Sequence, residues 1–365
     1  MRVLHVVHTP RYSGAEMLVL ALTRLHNSMG HTSAVVAIWP TAEDFKIEIA
    51  AQAQLNINWM VPRRALMRVS RIFHLRKASE RFNPDVIFAH SVLPAAYARI
   101  AGLRRVISVL HDANEDEYRS GRISLAERGL QYRSAGVISV SPTALINYSN
   151  RYSVPLLACI PNGIALDTYR NIRLERRAEF LDLLGLPQDA VIALQVGRIT
   201  SIKQQHLSVR AIARLVKTNP KIHLLLAGIH EDSVALLQLK TEIQTQNLED
   251  NVHLMGPRDD VPLLLQLANV YLMPSKQEAH SLALIEALAS GVAVVASNIP
   301  AFHFTKDMAG VALINPDIIN CFASAIEVML EKHHKYSRDL ENLDILDVAK
   351  KYIEFAKLCI ATNQK

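Results

Sequence analysis

Glu278 and Glu286 stand eight positions apart in the segment Met273-Pro-Ser-Lys-Gln-Glu278-Ala-His-Ser-Leu-Ala-Leu-Ile-Glu286-Ala-Leu-Ala-Ser-Gly291. An apolar strand ends at Pro274, a loop carries Glu278, a helix begins near Ser281, and Gly291 stops it. The first N–H groups of a helix lack partners and sit at the positive end of its dipole, so the amides of His280, Ser281 and Leu282 would form an anion site. At about 1.5 Å of rise per residue the two carboxylates should lie roughly 7–12 Å apart. That exceeds the about 5–5.5 Å of a double-displacement hydrolase. It suits two ends of one ligand with the anion between them. A loop glutamate and a paired helical glutamate with structural roles fit the spacing equally well.

Other candidates also follow apolar runs. Arg198 and Lys203 come after residues 191–196 and could neutralise a phosphate group; an exposed Arg and Lys in a loop is the plain alternative. His111 follows residues 106–110, and packing or capping explains it as readily as ligand contact. Gly14 follows residues 3–7 and, without a Cβ, would let a ligand approach the backbone. Arg258, in Gly256-Pro257-Arg258, reads first as an exposed loop residue.

Missing patterns narrow the chemistry. The 13 glycines are never two apart, which removes the dinucleotide fingerprint. There is no Gly-Lys pair for a phosphate-binding loop and no G-x-S-x-G elbow. His230-Glu231 lacks the second His of a zinc protease. No two aspartates are two apart, so the D-x-D that could clamp a metal against a diphosphate is absent.

The elements that must carry these residues alternate between strand and helix, twice. Strands are expected at 3–7, 34–38, 57–61, 85–89, 106–110 and 137–140, with helices at 15–29, 44–54, 65–82, 92–102 and 125–134, and Pro142 opening another. The alternation restarts with strands at 191–196, 222–227, 252–255, 270–273, 292–296 and 312–314. A helix at 171–185 lies near the join, and another closes the chain around 344–362. Continuous apolar strands between helices mean α/β domains, each a doubly wound parallel sheet covered on both faces. The expected division is 1–170, 171–343 and a C-terminal helix, 344–365, that could pack on either domain. Two such sheets would leave a cleft beyond their strands' carboxyl ends, where ligands bind.

The 365 residues are half hydrophobic and one-fifth charged, which supports large cores and excludes a disordered or disulfide-stapled chain. Three cysteines without metal-ligand spacing suit reduced thiols and a cytoplasmic location. No apolar run reaches the roughly 20 residues of a membrane span, and the N-terminus reads as a strand rather than a secretion signal, so a soluble protein is expected. Residues 1–170 carry 20 Lys and Arg against 12 Asp and Glu, while 171–365 carry 20 against 22. A basic half points to an acidic partner. With 6% aromatics and no basic run broken by them, nucleic acid is the weakest candidate.

Taken together, E-x7-E between a P-S-x-x-E loop and the E-A-x-A-x-G-V-A-V-V-A-S unit resembles the retaining glycosyltransferases of family 4, with the two-domain GT-B fold. Val196-Gly197-Arg198 followed by Lys203 is similar to the family's G-R-x4-K element, and Asn162-Gly163-Ile164 with Asp167 to its N-G-I-D segment. Ser13-Gly14-Ala15-Glu16 resembles the G-G-A-E loop, and His111-Asp112 the H-D after a middle strand. The five pieces occur in the family's order along nearly the whole chain.

The resemblance implies roles. Arg198 and Lys203 would bind the donor's diphosphate, Glu286 the ribose hydroxyls, and Glu278 the hydroxyls of the transferred sugar, with the amides of His280, Ser281 and Leu282 on sugar and phosphate. His111 would lie near the reacting sugar, Arg258 near the base, and Gly14 and Asn162 would belong to the binding region. The implied reaction moves a hexose or N-acetylhexosamine from a nucleotide-diphosphate sugar to a hydroxyl with retention. It needs no metal and no cofactor beyond the donor, for which UDP is the family's commonest nucleotide. A nucleotide-sugar epimerase of this architecture, or a non-catalytic nucleotide-sugar-binding protein, is the alternative. Ala279, Ser281, His280, Gln204 and Ser13 depart from the family's usual residues, which leaves the donor sugar open.

The acceptor belongs to the basic half. Residues 62–82 hold Arg63, Arg64, Arg68, Arg71, Arg76, Lys77 and Arg81 against Glu80 alone, with Leu66, Val69, Ile72 and Phe73 at helical spacing. A basic amphipathic helix suits an anionic membrane surface; an apolar stripe packed on the sheet, with solvated bases, is the alternative. The expectation is an enzyme at the cytoplasmic face of the membrane that extends a glycan or lipid-linked acceptor in surface-polysaccharide assembly, such as lipopolysaccharide or capsule.

Overall fold

The computed structural model describes residues 1–54, 57–64, 67–111, 121–170, 177–332 and 335–362. The chain forms two compact units, one of Met1–Ile164 with Asn342–Lys365 and one of Ala165–Glu341. The first division thus falls at 164/165 rather than near 170.

The N-terminal unit is built on a seven-stranded sheet: β1 (Arg2–Val7), β2 (Thr32–Ala37), β3 (Asn58–Met60), β4 (Val86–His90), β5 (Val106–Leu110), β6 (Ser134–Ser139) and β7 (Leu157–Cys159). The order is β3-β2-β1-β4-β5-β6-β7 and every pairing is parallel. The crossovers are α1 (Gly14–Ser28), α2 (Lys46–Gln54), α3 (Arg68–Phe82), α4 (Val92–Ile100), α5 (Gly121–Leu130) and α6 (Pro142–Ser149). Parallel strands need such crossovers, and both sheet faces are buried under them, so the strands are mostly apolar, with His5 and His90 as buried exceptions.

The C-terminal unit has six strands: β8 (Val191–Val196), β9 (Ile222–Ala227), β10 (Val252–Gly256), β11 (Val270–Met273), β12 (Ala293–Ser297) and β13 (Val311–Ile314). Their order is β10-β9-β8-β11-β12-β13, again parallel. The helices are α7 (Asp167–Arg170), α8 (Arg177–Leu183), α9 (Gln205–Leu215), α10 (Ser233–Thr245), α11 (Val261–Leu267), α12 (Leu282–Ala289) and α13 (Ile319–Glu331). α14 (Ile345–Thr362) closes the chain and belongs to the N-terminal unit, where Val348, Tyr352, Phe355 and Cys359 join the core of Val3, Phe88 and Ile138. A Cβ at Gly136 would lie 2.8 Å from Cys359 Sγ, so glycine on β6 lets α14 seat against the sheet.

Several boundaries differ from the periodicity reading. The helix expected at 125–134 runs from Gly121 to Leu130, and β6 starts at Ser134, because its first half is Ser-Ala-Gly with no apolar signal. The helix expected from 65 starts at Arg68; residues 65 and 66 lie outside those described, as do 171–176 of the helix expected at 171–185. β7, a three-residue edge strand with one partly buried and two exposed residues, lies in the apolar run at 156–160 that the periodicity reading passed over. Among the described residues, no helix is long and apolar enough to cross a membrane.

Candidate active site

Both sheets reverse their winding direction once. In the C-terminal unit the switch lies between the adjacent strands β8 and β11, and open parallel sheets bind ligands beyond the carboxyl ends at such a point. β8 leads into Gly197-Arg198, and β11 into the loop carrying Glu278.

The loop after β8 is tightly held. A Cβ at Gly228, whose φ is +154°, would lie 2.0 Å from the Gly197 carbonyl oxygen, so the ends of β8 and β9 cross with no space for a side chain. The Arg198 carbonyl accepts from Gln205 Nε2 at 2.9 Å. The Lys203 carbonyl accepts from Gln195 Nε2 at 2.9 Å, and Gln195 Oε1 accepts from the Ser208 hydroxyl at 2.8 Å. Gln195, Gln205 and Ser208 are buried, so these bonds are protected from water.

Within this frame the Lys203 ammonium donates to the Glu278 carboxylate. The Arg198 guanidinium donates to Glu231, a partly exposed pair of the kind that contributes little to stability. Tyr271, fully buried on β11, donates to the Val196 carbonyl at 3.3 Å. Burial, then the Glu286 carboxylate, raises its pKa, and the Glu278 charge adds to that.

Glu286 lies inside α12 and accepts a hydrogen bond from the Tyr169 phenol on α7. Burial lifts the carboxyl above the ordinary glutamate range, and the Tyr169 bond partly offsets it. Ser281 stands at the N-cap of α12 without a side-chain cap bond, which leaves the first amides of the helix to other acceptors. At the other end Arg338 donates to the Leu288 carbonyl at 2.9 Å, a cation where the helix dipole favours one. The His280 ring stacks on Phe304, with centroids 5.1 Å apart, and burial lowers its pKa to about 4, so it is a neutral flat ring.

The remaining candidates belong to other elements. Arg258 follows the edge strand β10 and donates from Nε to Asp260 at 2.8 Å. Gly14, His111 and Asn162 belong to the N-terminal unit. Gly14 opens α1, behind Ser13, which donates to Glu16. His111 follows β5 and its Nε2 is 2.8 Å from His90 Nδ1. Asn162 is buried beside Gly163, where a Cβ would meet Val348 at 2.7 Å and the Leu343 carbonyl at 2.9 Å. Packing against the returning chain therefore accounts for that glycine. Asp112 lies outside the described residues.

A family model described as Glycosyltransferase Family 4 matches residues 12–168, and one described as Glycosyl transferases group 1 matches residues 177–342. The chain belongs to glycosyltransferase family 4. Among curated relatives of this family member, the UDP-Gal:alpha-D-GlcNAc-diphosphoundecaprenol alpha-1,3-galactosyltransferase of Escherichia coli is 25% identical over 245 residues, 62% of this chain and 61% of that one. The chain thus spans about three-fifths of that relative. The alpha-monoglucosyldiacylglycerol synthase of Acholeplasma laidlawii is 22% identical over 391 residues, 93% of this chain and 96% of that one. Among solved structures, HepE of Anabaena in complex with UDP-glucose superposes with a TM-score of 0.80 at 17% identity, covering 98% of this chain and 99% of that one. The two Rossmann-like units are those of the GT-B fold.

One departure from the family pattern has a structural answer. Gln204 stands where glycine is common after the lysine, and its backbone still adopts the left-handed conformation, with φ 49° and ψ 40°. The turn is kept and a side chain is strained into it. Four residues of the cluster escaped the sequence reading. Tyr169 lies in a short helix with no pattern of its own. Glu231 had served only to exclude a zinc motif, and Gln195 and Tyr271 sat inside apolar runs. A tyrosine in a fully buried strand was the usable signal, since its hydroxyl must find a partner.

Proposed function

We propose that the protein is a retaining, metal-independent glycosyltransferase that moves a hexose or N-acetylhexosamine from a UDP-sugar to a lipid-linked or glycan acceptor in surface-polysaccharide assembly. The observation that carries this reading is the meeting of Lys203 with Glu278 beside the N-terminus of α12, within a segment matched by the group 1 glycosyltransferase model.

In this scheme the donor diphosphate takes Lys203 and Arg198 from their acidic partners and lies against the α12 amides. Glu278, released, accepts from hydroxyls of the transferred sugar. Glu286 accepts from the ribose hydroxyls, its carboxylate oriented by Tyr169, and His111 contacts the sugar. The bond from the anomeric carbon to the phosphate oxygen breaks while the acceptor oxygen bonds to that carbon from the same face. The acceptor proton passes to the departing phosphate oxygen. Positioning and charge stabilisation do the catalysis, so no enzyme nucleophile is required.

The names of relatives support the substrate classes: a UDP-galactose enzyme on a diphosphoundecaprenol-linked sugar, and a glucolipid synthase. For the membrane side, α3 supports docking over an ordinary packed helix. Its buried face is Leu75, Ala78 and Phe82, whereas Val69 and Phe73 are 63% and 64% exposed among exposed arginines. The test is a thermal-shift panel of UDP, GDP, ADP and their sugars, followed by donor with and without a polyprenyl-diphosphate-sugar acceptor. UDP stabilisation by mass action and an acceptor-dependent product with retained configuration are expected. An epimer formed from donor alone, or binding without turnover, would contradict transfer.

A further inference from the structure

In the N-terminal unit two buried imidazoles that the reaction scheme leaves unused, His5 and His90, lie in line with His111. His5 on β1 reaches from Nδ1 to His90 Nε2 at 2.9 Å, and His90, at the end of β4, reaches from Nδ1 to His111 Nε2 at 2.8 Å. The rings stack along the way, His5 on His90 at 5.2 Å and His90 on His111 at 5.1 Å between centroids. His5 is 0% and His90 3% exposed. We infer that His90 and His5 are positioning residues that hold His111 as the Nδ1–H tautomer of a neutral imidazole.

A neutral imidazole has one donor nitrogen and one acceptor nitrogen. A chain of three can therefore run in two directions only. If protons point toward His111, each ring carries its proton on Nδ1, and the chain ends on the bare Nε2 of His5. If they point the other way, it ends on a buried N–H of His5. His5 Nε2 is buried and has no hydrogen-bond partner. An orphaned buried N–H is the rarer and costlier of the two ends, so the first direction is favoured. The adjacent ring shows the same choice. His26 stacks on His5 at 5.5 Å, its Nε2 donates to the Ala349 carbonyl at 3.3 Å, and its unpartnered buried atom is Nδ1, a lone pair.

Neutrality follows from the surroundings. Burial lowers the pKa of His5 and His90 well below the usual value and that of His111 to about 4. The backbone beside His90 supports a fixed geometry. Ser91 adopts φ 75° and ψ 170°, a conformation nearly confined to glycine that persists only where its surroundings dictate it. His111 thus has its Nε2 lone pair occupied and presents a donor, not a base, at Nδ1. That this donor meets the sugar rests on the reaction proposed above; the tautomer does not.

The experiment is a multiple-bond 1H–15N correlation spectrum of the 15N-histidine-labelled protein near pH 7.5, with His111 assigned by its loss in His111→Gln. Protonated Nδ1 and bare Nε2 are expected for His111. His90→Leu should move the proton of His111 toward Nε2, whereas His90→Gln, whose amide can still donate, should keep it on Nδ1. The His223–His253 pair of the C-terminal unit (3.1 Å) serves as the unchanged reference. An Nε2–H His111 in the wild-type spectrum, readable even if His90→Leu fails to fold, would overturn the inference. So would an Nδ1–H His111 that survives His90→Leu. Should the tautomer shift while kcat stays constant, the sugar-contact reading of His111 would fall and the tautomer assignment would stand.

Discussion

Lys203 and Glu278, 75 positions apart in the chain, form an ion pair whose side chains are only 18% and 12% exposed. The pair joins the loop after β8 to the loop after β11, at the switch point of the C-terminal sheet. Arg198 is likewise engaged, with Glu231. Both candidate diphosphate cations are therefore held by carboxylates that a ligand must displace.

This arrangement separates binding from transfer. Lys203→Ala and Arg198→Ala should each lower turnover by about 10²-fold or more, because each removes charge that stabilises the departing diphosphate. Glu278→Gln should behave differently. It leaves Lys203 without its carboxylate, so UDP affinity by calorimetry should hold or rise while kcat falls. Parallel losses of UDP affinity and kcat in Glu278→Gln would contradict the assigned division of roles.

The strained turn gives a stability prediction. Gln204→Gly should raise the free energy of unfolding by about 1 kcal/mol, measured by urea denaturation, since glycine adopts the left-handed conformation without a Cβ penalty. Gly228→Ala should lower it by about 1–3 kcal/mol, because the new Cβ collides with the Gly197 carbonyl. Neutral outcomes in both would show that the crossing is not as closely packed as described.

How much was readable in advance follows from the kinds of force involved. Strands such as β8 and β11 are buried on both faces and announce themselves as apolar runs, so the α/β fold and the order of its elements were legible. The E-x7-E, G-R-x4-K and helix-start residues were legible because they are local. The engagement of Lys203 by Glu278, of Arg198 by Glu231 and of Glu286 by Tyr169 was not, since each joins distant segments that only the sheet topology brings together. Gln195 was hidden for another reason: a polar residue in an apolar strand carries no periodic signal, yet here it pins the Lys203 carbonyl.

The buried histidines predict acid lability. Burial lowers the pKa of His5 and His90 well below the usual value and that of His26 to about 4. The unfolded chain takes up protons near pH 6.5, whereas the folded chain takes them up well below that, at about 4 for His26, so in that window the unfolded state holds more protons. Stability should fall as pH falls through it, by roughly 1.4 kcal/mol per pH unit for each such imidazole. Urea midpoints should therefore drop steeply between pH 6.5 and 4 and change little above about 7.5. A flat midpoint from pH 7 to 5 would contradict the description.

The exposed apolar positions of α3 predict membrane docking. Flotation with liposomes containing anionic lipid should carry the protein upward, and neutral liposomes should carry much less. Phe73→Asp with Val69→Asp should abolish the difference without loss of thermal stability, because both side chains face solvent. Equal and negligible flotation on both lipids would remove the membrane from the account.

The central claim is that the C-terminal unit grips a nucleotide diphosphate at the end of β8. A crystal structure with UDP bound tests it most directly. Diphosphate oxygens are expected within hydrogen-bond reach of Lys203 Nζ and the Arg198 guanidinium, against the first amides of α12, with the ribose hydroxyls on Glu286. UDP found elsewhere, with Lys203 still paired to Glu278, would contradict it.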